Sequence, residues 1–374
     1  MKILTFSRYA SCSFVAAMLA SCGVLRQAQD TPPIGAQGAM PQNGALLNVD
    51  GPARPASKPD VTKAYLYVGT LGNTITVYPL NGSKPIRQIH RRDGVRAMAP
   101  DPWGDVYTTD GDPSAFHGII AYRPGGNSTL LKIASFALAI AFDSAGNFYE
   151  ADGTVVAAYV ARTKKRLRVI SDDTRGGDAL AFDPAGNLYL GREGASSSAP
   201  SSVTVFPPDA KKPSREITDG VRRPYALLID NSGDLVVSNC APCYYPGSGP
   251  RRSSITEYAP GSSTPFLTIT EGVDTPIAMA VGRGGLLFVA DHPYLKKGAV
   301  TVYGSSGTLI RTITAGIDQP DSLVVDSDGK LYVANSPYRG HAYSITVYSS
   351  NGARLLRTIT AGLRGAHVIT IGKQ

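Results

Sequence analysis

Five polar residues at one position of an internal repeat have side chains that could bind a metal ion. Each follows the second of two short apolar segments. Carboxylate and amide oxygens are the ligands that Ca²⁺ and other hard divalent ions prefer, yet Asp and Asn also end strands by bonding to nearby turn backbone. The sequence thus leaves open a site for Ca²⁺ or Mg²⁺ or a set of structural caps at Asp110, Asp152, Asn239, Asp291 and Asn335.

Aromatic and basic residues concentrate in the connections from second to third strands. Several of these connections are long and irregular, at 111–116, 191–200, 239–252, 291–297 and 335–342. Loops of this kind on a rigid scaffold often carry binding, and Tyr and Arg are common anchors. Simple solvent-facing loops are the alternative. The predicted partner-binding residues are Tyr244, Tyr245, Arg251, Arg252, His292, Tyr294, Tyr338 and His341.

Cys240 and Cys243 form a Cys-x-x-Cys pair. In an exported protein, such an even pair predicts a structural disulfide. The pair does not lie in a thioredoxin-like βαβ context, and no His follows it, so redox and haem-attachment roles are not indicated. The chain also contains neither the Gly-x-Ser-x-Gly nor the His-Glu-x-x-His motif, and the sequence therefore identifies no catalytic residue.

The elements that position these residues belong to a unit that occurs six times, at spacings of 40 to 52 residues. Such a period indicates a propeller or a solenoid. In five copies two apolar segments flank Asp-x-x-Gly, which predicts a tight β-hairpin. A third strand follows, clearest at 344–348 and weakest at 155–159, and then a fourth strand whose basic residues would discourage edge pairing. The units begin at Ala97, Ala139, Ala179, Ala226, Ala278 and Ser322.

Four antiparallel strands per unit are typical of a propeller blade. Residues 64–69 resemble a second strand without a first, and residues 366–371 resemble a first strand without a second. Joining the two ends supplies a seventh blade and removes the exposed edges. The sequence therefore predicts an all-β fold over residues 63–374: a seven-bladed β-propeller of four-stranded antiparallel blades, its ring closed by N-terminal and C-terminal strands.

The N-terminus has the features of an export signal. Residues 1–21 combine two basic residues with a short apolar core, and they end in Leu-Ala-Ser before Cys22. This pattern resembles the bacterial lipoprotein cleavage box, which implies lipidation of Cys22 and, with Gly23 next, an outer-membrane location. Residues 22–62 are rich in Pro, Gly and Ala and predict a disordered tether that carries the lipid.

The charge balance bears on possible partners. The formal net charge is +8, and removal of residues 1–21, which contain Lys2 and Arg8 and no acidic residue, lowers it to +6. This excess favours either anionic partners or a solvated basic rim on the outer strands. No helix-in-groove or aromatic-ladder pattern indicates nucleic-acid binding. We expect a monomer in the bacterial cell envelope.

The repeat resembles those of NHL-type seven-bladed propellers over nearly all of residues 63–374. The resemblance lies in an apolar pair, then Asp-x-x-Gly-Asn-Leu-Tyr, and then a terminal Asn or Asp. Most such proteins are binding scaffolds, so the resemblance implies a non-catalytic lipoprotein that binds a protein, peptide or glycan. Two related enzyme branches imply an alternative: SMP-30/gluconolactonase-like hydrolases with a channel metal, and streptogramin-B lyases that use His and Glu with Mg²⁺. The nearest channel candidates are Glu150, Glu193 and His367, and neither catalytic set is matched residue by residue.

Overall fold

The computed structural model describes residues 64–70, 72–110, 118–135, 137–170, 177–194, 200–240, 253–293, 296–337 and 342–373. Within these residues the chain forms 28 β-strands and one short 3-10 helix, Arg283–Gly285. The strands assemble into seven separate four-stranded sheets, and every strand pairing is antiparallel. In the described part of the chain no helix is long and apolar enough to cross a membrane.

The strands follow the repeat. The chain begins with β1 (Ala64–Gly69), β2 (Thr74–Pro79) and β3 (Arg87–His90). Three units of four strands come next: β4 (Val95–Pro100), β5 (Val106–Asp110), β6 (Ile119–Tyr122), β7 (Thr129–Ile133); β8 (Ala139–Phe142), β9 (Phe148–Ala151), β10 (Val156–Tyr159), β11 (Arg166–Ile170); β12 (Gly177–Phe182), β13 (Leu188–Arg192), β14 (Ser202–Phe206), β15 (Arg215–Ile217).

Three further units and one final strand complete the chain. These are β16 (Pro224–Ile229), β17 (Leu235–Asn239), β18 (Ser254–Tyr258), β19 (Leu267–Ile269); β20 (Pro276–Val281), β21 (Leu287–Asp291), β22 (Ala299–Tyr303), β23 (Leu309–Ile313); β24 (Pro320–Val325), β25 (Leu331–Asn335), β26 (Ser344–Tyr348), β27 (Leu355–Ile359); and β28 (Val368–Lys373). We number the blades so that blade 1 contains β28 with β1–β3, and blades 2 to 7 contain the six complete units in order.

The ring closes as predicted. Strand β28 pairs antiparallel with β1, from Ala64↔Lys373 to Gly69↔Val368, so one blade is built from both ends of the propeller sequence. The first strands of neighbouring blades contact each other all the way around, from β4 through β24 to β28 and back to β4. The seven-bladed β-propeller predicted from the sequence is therefore confirmed.

The Asp-x-x-Gly segments form the predicted hairpin turns. Asp101 Oδ1 accepts hydrogen bonds from the backbone N–H groups of Trp103 (2.9 Å) and Asp105 (2.8 Å). Gly104 has φ 90°, a conformation that residues with a Cβ rarely adopt. The one unit without the Asp forms the 3-10 helix instead, and Gly282 N–H closes this turn on the carbonyl of Leu286 at 2.8 Å.

Third-strand tyrosines hold neighbouring blades together. Tyr258 and Tyr303 are fully buried, and their hydroxyls donate to the carbonyls of Asp219 (2.6 Å) and Glu271 (2.7 Å), which follow the outer strand of the preceding blade. Tyr78 makes the same bond to Ala361 across the closure between blades 1 and 7. Packing between blades therefore explains the sequence pattern of the third strand, in which a β-branched residue is followed by Thr, Val and Tyr.

The outer strands differ from the sequence-based interpretation, because their arginines do not simply point into solvent. Arg168 is only 8% exposed, and it donates to the hydroxyl of Tyr149 on the second strand of its own blade (3.2 Å). The guanidinium of Arg357 likewise lies over the ring of Tyr332, 6.0 Å from its centroid. An arginine stem can cover apolar surface while its head stacks on an aromatic ring.

β-bulges interrupt the outer edges instead. Four outer strands contain a register shift that leaves one apolar residue without a cross-strand partner. Bulges twist an edge strand and prevent regular pairing with another chain. The four bulged residues are Leu130, Leu167, Ile310 and Leu356.

Candidate functional site

One face of the ring collects the ends of the second strands and the starts of the first strands, and we call it the long-loop face. In three consecutive blades these ends are paired as Pro224↔Asn239, Pro276↔Asp291 and Pro320↔Asn335. The long connections 239–252, 291–297 and 335–342 leave the blades from this face. The opposite face, which carries the Asp-x-x-Gly hairpin turns, we call the hairpin face.

The Asn residues on the long-loop face act as structural caps. Asn335 Oδ1 accepts from the backbone N–H of Asp318 (3.0 Å), and its Nδ2 donates to Thr346 Oγ1 (3.1 Å). Asn239 does the same with the N–H of Arg222 (2.7 Å) and with Thr256 Oγ1 (3.0 Å). Each Asn thus ties the segment entering its blade to the third strand.

The acidic residues at this position are engaged in the same way. Asp291 Oδ1 accepts from the N–H groups of Asp274 (3.0 Å) and Thr275 (3.1 Å), and its Oδ2 accepts from Thr301 Oγ1 (3.2 Å). Burial raises the pKa of Asp291 to about 6, against the opposing effect of these hydrogen bonds. Asp152 Oδ1 accepts from the N–H groups of the next turn, including Thr154 at 2.7 Å.

These four residues therefore have the geometry of the capping alternative. Among the residues that the structure describes, no three His, Cys, Asp or Glu side chains are grouped so that they could hold a metal ion. The side chain of Asp110, the fifth predicted ligand, lies outside the described set. The four described side chains bind backbone N–H and hydroxyl groups of the protein, and the divalent-metal site stays a prediction.

A cluster of two histidines around one aspartate lies at the start of the first strands. His292 Nδ1 is 2.7 Å from Asp321 Oδ1, and His367 Nδ1 is 3.0 Å from Asp321 Oδ2. His292 follows β21 in blade 6, Asp321 lies on β24 in blade 7, and His367 precedes β28 in blade 1. The cluster therefore joins three consecutive blades across the point where the ring closes.

A β-bulge directs Asp321 into this cluster. The register of β24 against β25 shifts between Pro320 and Ser322, which leaves Asp321 as the extra residue. The preceding Gln319 has φ 51°, and its carbonyl accepts from the N–H of Ser336 (3.0 Å). Bulges often redirect a side chain near functional sites, and equivalent shifts precede Ala179, Ala226 and Ala278.

The electrostatics of the cluster favour an ionised Asp321. Burial alone would raise the pKa of Asp321, but the hydrogen bonds and charges of His292 and His367 outweigh it and hold the pKa below its usual range. An ionised carboxylate only accepts, so His367 donates from Nδ1, and His292 presents its Nδ1 to the other carboxylate oxygen at 2.7 Å. When His367 is neutral, its Nε2 is an acceptor, and this atom is buried without a hydrogen-bond partner.

The cluster can therefore contribute a hydrogen-bond acceptor or a base next to the centre of the ring. An imidazole whose Nδ1–H is held by a carboxylate has a fixed orientation and tautomer, with Nε2 available to a ligand proton. His292 is 25% exposed at its side chain, whereas His367 is 2% exposed. The accessible edge of the cluster is thus the one formed by His292.

The remaining predicted binding residues fall in the long connections. Tyr244, Tyr245, Arg251, Arg252, Tyr294, Tyr338 and His341 lie outside the described residues, and so does Cys243. Cys240 is fully buried and disulfide-bonded. Of the predicted partner-binding set, the structure places only His292.

The two glutamates considered for the channel have other partners. Glu150 is buried, and its carboxylate accepts from Ser135 Oγ (2.6 Å) and from the hydroxyl of Tyr159 (3.0 Å). Glu193 Oε1 lies 3.7 Å from Arg223 Nε. Sequence reasoning did not connect Asp321 with His292 or His367. The clue was its position immediately before a first strand, which His367 shares.

No protein-family model matches the chain, and no curated protein matches it. Among solved structures, it is similar to a functionally unknown protein from Desulfotomaculum acetoxidans DSM 771, with 15% sequence identity, a TM-score of 0.62, and coverage of 83% of this chain and 99% of that chain. It is also similar to a protein of unknown function from Bacteroides caccae, with 14% identity, a TM-score of 0.50, and coverage of 84% and 100%. These similarities show the propeller fold.

Proposed function

We propose that this protein is a non-catalytic cell-envelope lipoprotein whose propeller binds a protein, peptide or glycan through the long-loop face. In this proposal Cys22 carries the lipid that holds the protein in the membrane, most simply the outer membrane. Residues 22–62 then serve as the tether. The NHL-type character of the repeats supports a binding role, because propellers of this kind are mostly scaffolds.

The observation that carries the proposal is that three strand ends, each followed in the sequence by a long connection, lie in consecutive blades. The ends of β17, β21 and β25 lie on the same face of three consecutive blades, and Asn239, Asp291 and Asn335 cap them. The connections that leave these ends contain Tyr, Arg and His residues at high density. Rigid strand ends that present irregular loops rich in Tyr and Arg favour recognition of a partner.

Partner capture tests the binding role. We would place a photo-crosslinking amino acid at Tyr343, which is 37% exposed where connection 335–342 meets β26, and expose the chain to envelope extract. The double variant Tyr294→Ala/Tyr338→Ala should lose the crosslinked product at unchanged Tm. Phe266→Ala, at an exposed aromatic residue on the outer edge, is the control and should retain it. Equal loss in both variants would contradict the proposal.

The lipid anchor is tested separately. Metabolic labelling with radioactive palmitate should mark the wild-type chain in the membrane fraction, and Cys22→Ser should remove the label. Cys12→Ser, within the predicted signal peptide, is the matched control. Labelling that persists in Cys22→Ser would overturn the assignment of the anchor.

The His292–Asp321–His367 cluster favours a second candidate, a propeller hydrolase or lyase that acts at the mouth of the channel. His292, the accessible imidazole beside Asp321, would be its general base. Purified protein would be assayed with lactones and with cyclic depsipeptides of the streptogramin B type, with and without Mg²⁺ or Ca²⁺. Turnover that disappears in His292→Gln would establish this candidate, and no turnover in any condition would leave the binding role.

A further inference from the structure

Charge is segregated within the propeller. The segments that run from the end of each third strand to the end of the fourth strand contain 15 Lys and Arg residues and only 2 Asp and Glu residues. The rest of the sequence from residue 64 onward contains 16 basic and 24 acidic residues. The outer edge is thus strongly cationic although the propeller as a whole is close to balanced. The seven segments are 79–90, 123–133, 160–170, 207–217, 259–269, 304–313 and 349–359.

The cations are densest on blades 3 and 4. The turn before β11 and the start of this strand expose Lys164, Lys165 and Arg166, with no acidic residue between 153 and 171. The equivalent turn of blade 4 exposes Lys211 and Lys212.

The two turns are neighbours. Arg168 Nη1 donates to the carbonyl of Ala210 at 2.6 Å, which ties β11 to the turn of blade 4. Exposed acidic residues near this surface are Asp209 and Glu216, and Glu216 lies 3.8 Å from Arg192. The surface therefore keeps a clear excess of positive charge.

An exposed apolar side chain lies within these cations. The bulge in β11 leaves Leu167 without a cross-strand partner, and the residue is 48% exposed. A surface of several Lys and Arg around one exposed Leu matches a bilayer interface, where anionic headgroups surround apolar chains. A soluble acidic polymer would use the cations but would gain nothing from Leu167.

We propose that Lys164, Lys165, Arg166, Leu167, Lys211 and Lys212 form a docking surface for a membrane that contains anionic phospholipid. Both turns lie on the hairpin face at its outer edge, since they join third strands to fourth strands. Docking through them leaves the long-loop face turned away from the bilayer and open to a partner. The inference rests on the proposed lipid anchor, which would keep the propeller near the membrane. The side chains that would contact the bilayer all belong to residues that the structure describes.

Vesicle cosedimentation tests this surface. The full chain carrying Cys22→Ser is mixed with vesicles of phosphatidylcholine alone or with phosphatidylglycerol, at physiological ionic strength. The triple variant Lys164→Glu/Lys165→Glu/Lys211→Glu should bind the anionic vesicles roughly 100-fold more weakly, from about 1 kcal/mol per basic residue. The control Lys84→Glu/Lys132→Glu/Arg354→Glu changes the charge equally on blades 1, 2 and 7 and should lose less than about 3-fold.

Two further sets of variants complete the test. Leu167→Asn should weaken binding to anionic vesicles while leaving the affinity for soluble polyglutamate unchanged. Lysine-to-glutamine versions of both triple variants repeat the comparison if the glutamate versions are unstable.

Equal losses in the two triple variants, equal binding to both vesicle types, or binding to polyglutamate alone would each overturn the proposal. Failure here leaves crosslinking through the long-loop face unaffected, so the two proposals fail independently.

Discussion

Asp321 and Asp101 are both buried on the propeller, on opposite faces, and burial leads to opposite states. On the long-loop face, Asp321 lies between two imidazoles that hold its pKa below the usual range. On the hairpin face, Asp101 lies beside a second buried carboxyl, Asp105, and burial together with this neighbour raises the pKa of Asp101 to about 7. Arg162 Nε pairs with Asp105 at 2.7 Å, not with Asp101.

The difference shows that partners, rather than depth, decide the state of a buried carboxyl here. Desolvation acts on both residues in the same direction, toward the neutral acid. At Asp321 the two histidines offset the effect of desolvation. At Asp101 the neighbouring carboxyl of Asp105 adds to it, and the one nearby cation, Arg162, pairs with Asp105, so Asp101 keeps its proton. The long-loop face therefore keeps a fixed negative charge near the channel, and the hairpin face keeps a carboxyl that titrates near neutral pH.

Removing the charge at Asp321 should change the free energy of unfolding more than any other substitution considered below. Asp321→Ala leaves two imidazoles without their partner at the junction of blades 6, 7 and 1, and we expect a loss of about 3–5 kcal/mol in the free energy of unfolding. Urea unfolding at pH 7 measures it. Asp328→Ala, at an exposed residue paired only with Lys330, is the control. A loss below about 1 kcal/mol would show that the cluster does not contribute to ring closure.

The pH dependence of this contribution has a defined sign. Because the folded pKa of Asp321 is lowered, its stabilisation is complete above the unfolded value of about 4 and is lost as pH falls through the folded pKa. The difference in stability between wild type and Asp321→Ala should therefore shrink in strong acid. A constant difference down to about pH 2 would argue against an ionised Asp321.

Asp101→Asn should have a smaller effect of opposite sign. The raised pKa of Asp101 means that the folded state binds the extra proton, so its contribution destabilises the protein as pH rises from about 4 to about 7. Asn keeps the acceptor for the turn and donates to Asp105. We expect Tm at pH 8 to rise by roughly 2–4 °C, about 1 kcal/mol, with little change below about pH 4.

The equivalent residue of the next blade provides the control. Asp143 caps the same turn but lies beside Asn147, whose Nδ2 donates to Asp143 Oδ2 at 3.0 Å. Asp143→Asn removes no carboxyl pair and should not reproduce the rise in Tm at pH 8. If Asp101→Asn behaves in the same way, the carboxyl pair does not share a proton as inferred.

The smallest effect is expected at Asp291, which separates capping from metal binding. Asn239 and Asn335 perform the same role in neighbouring blades, so Asp291→Asn should keep every bond of the cap. Since burial raises the pKa of Asp291 to about 6, the variant should gain about 1–2 °C in Tm at pH 8 and nothing below about pH 4. A lower Tm together with loss of bound Ca²⁺ or Mg²⁺ would instead support the metal site.

The fold could be predicted because its causes are local and repeated. Asp-x-x-Gly specifies a turn, two short apolar segments specify buried strands, and six copies at a propeller spacing fix the architecture. Even the weak segment at 155–159 forms strand β10. The incomplete units at 64–69 and 366–371 predicted the closure, since each lacks the strand that the other supplies.

The candidate site was harder to predict because it depends on residues far apart in the chain. His367 and Asp321 are 46 residues apart and lie in different blades, and only the bulge at Asp321 brings their side chains together. Repeat logic suggested that recurrent Asp and Asn residues might share a ligand, but it could not show that each is used within its own blade. The role of the outer arginines was missed for the same reason, since sequence does not show which aromatic ring an arginine covers.

The most direct test of the comparison is the tautomer of the two histidines. The chain contains five His residues, so long-range ¹H–¹⁵N NMR spectra, assigned with His292→Gln and His367→Gln, can identify both rings. At pH 8 we predict Nδ1–H and a bare Nε2 on each ring, because an ionised Asp321 accepts from both. An Nε2–H tautomer on His367 would contradict the account, since Asp321 would then have to be protonated and the cluster would offer no base.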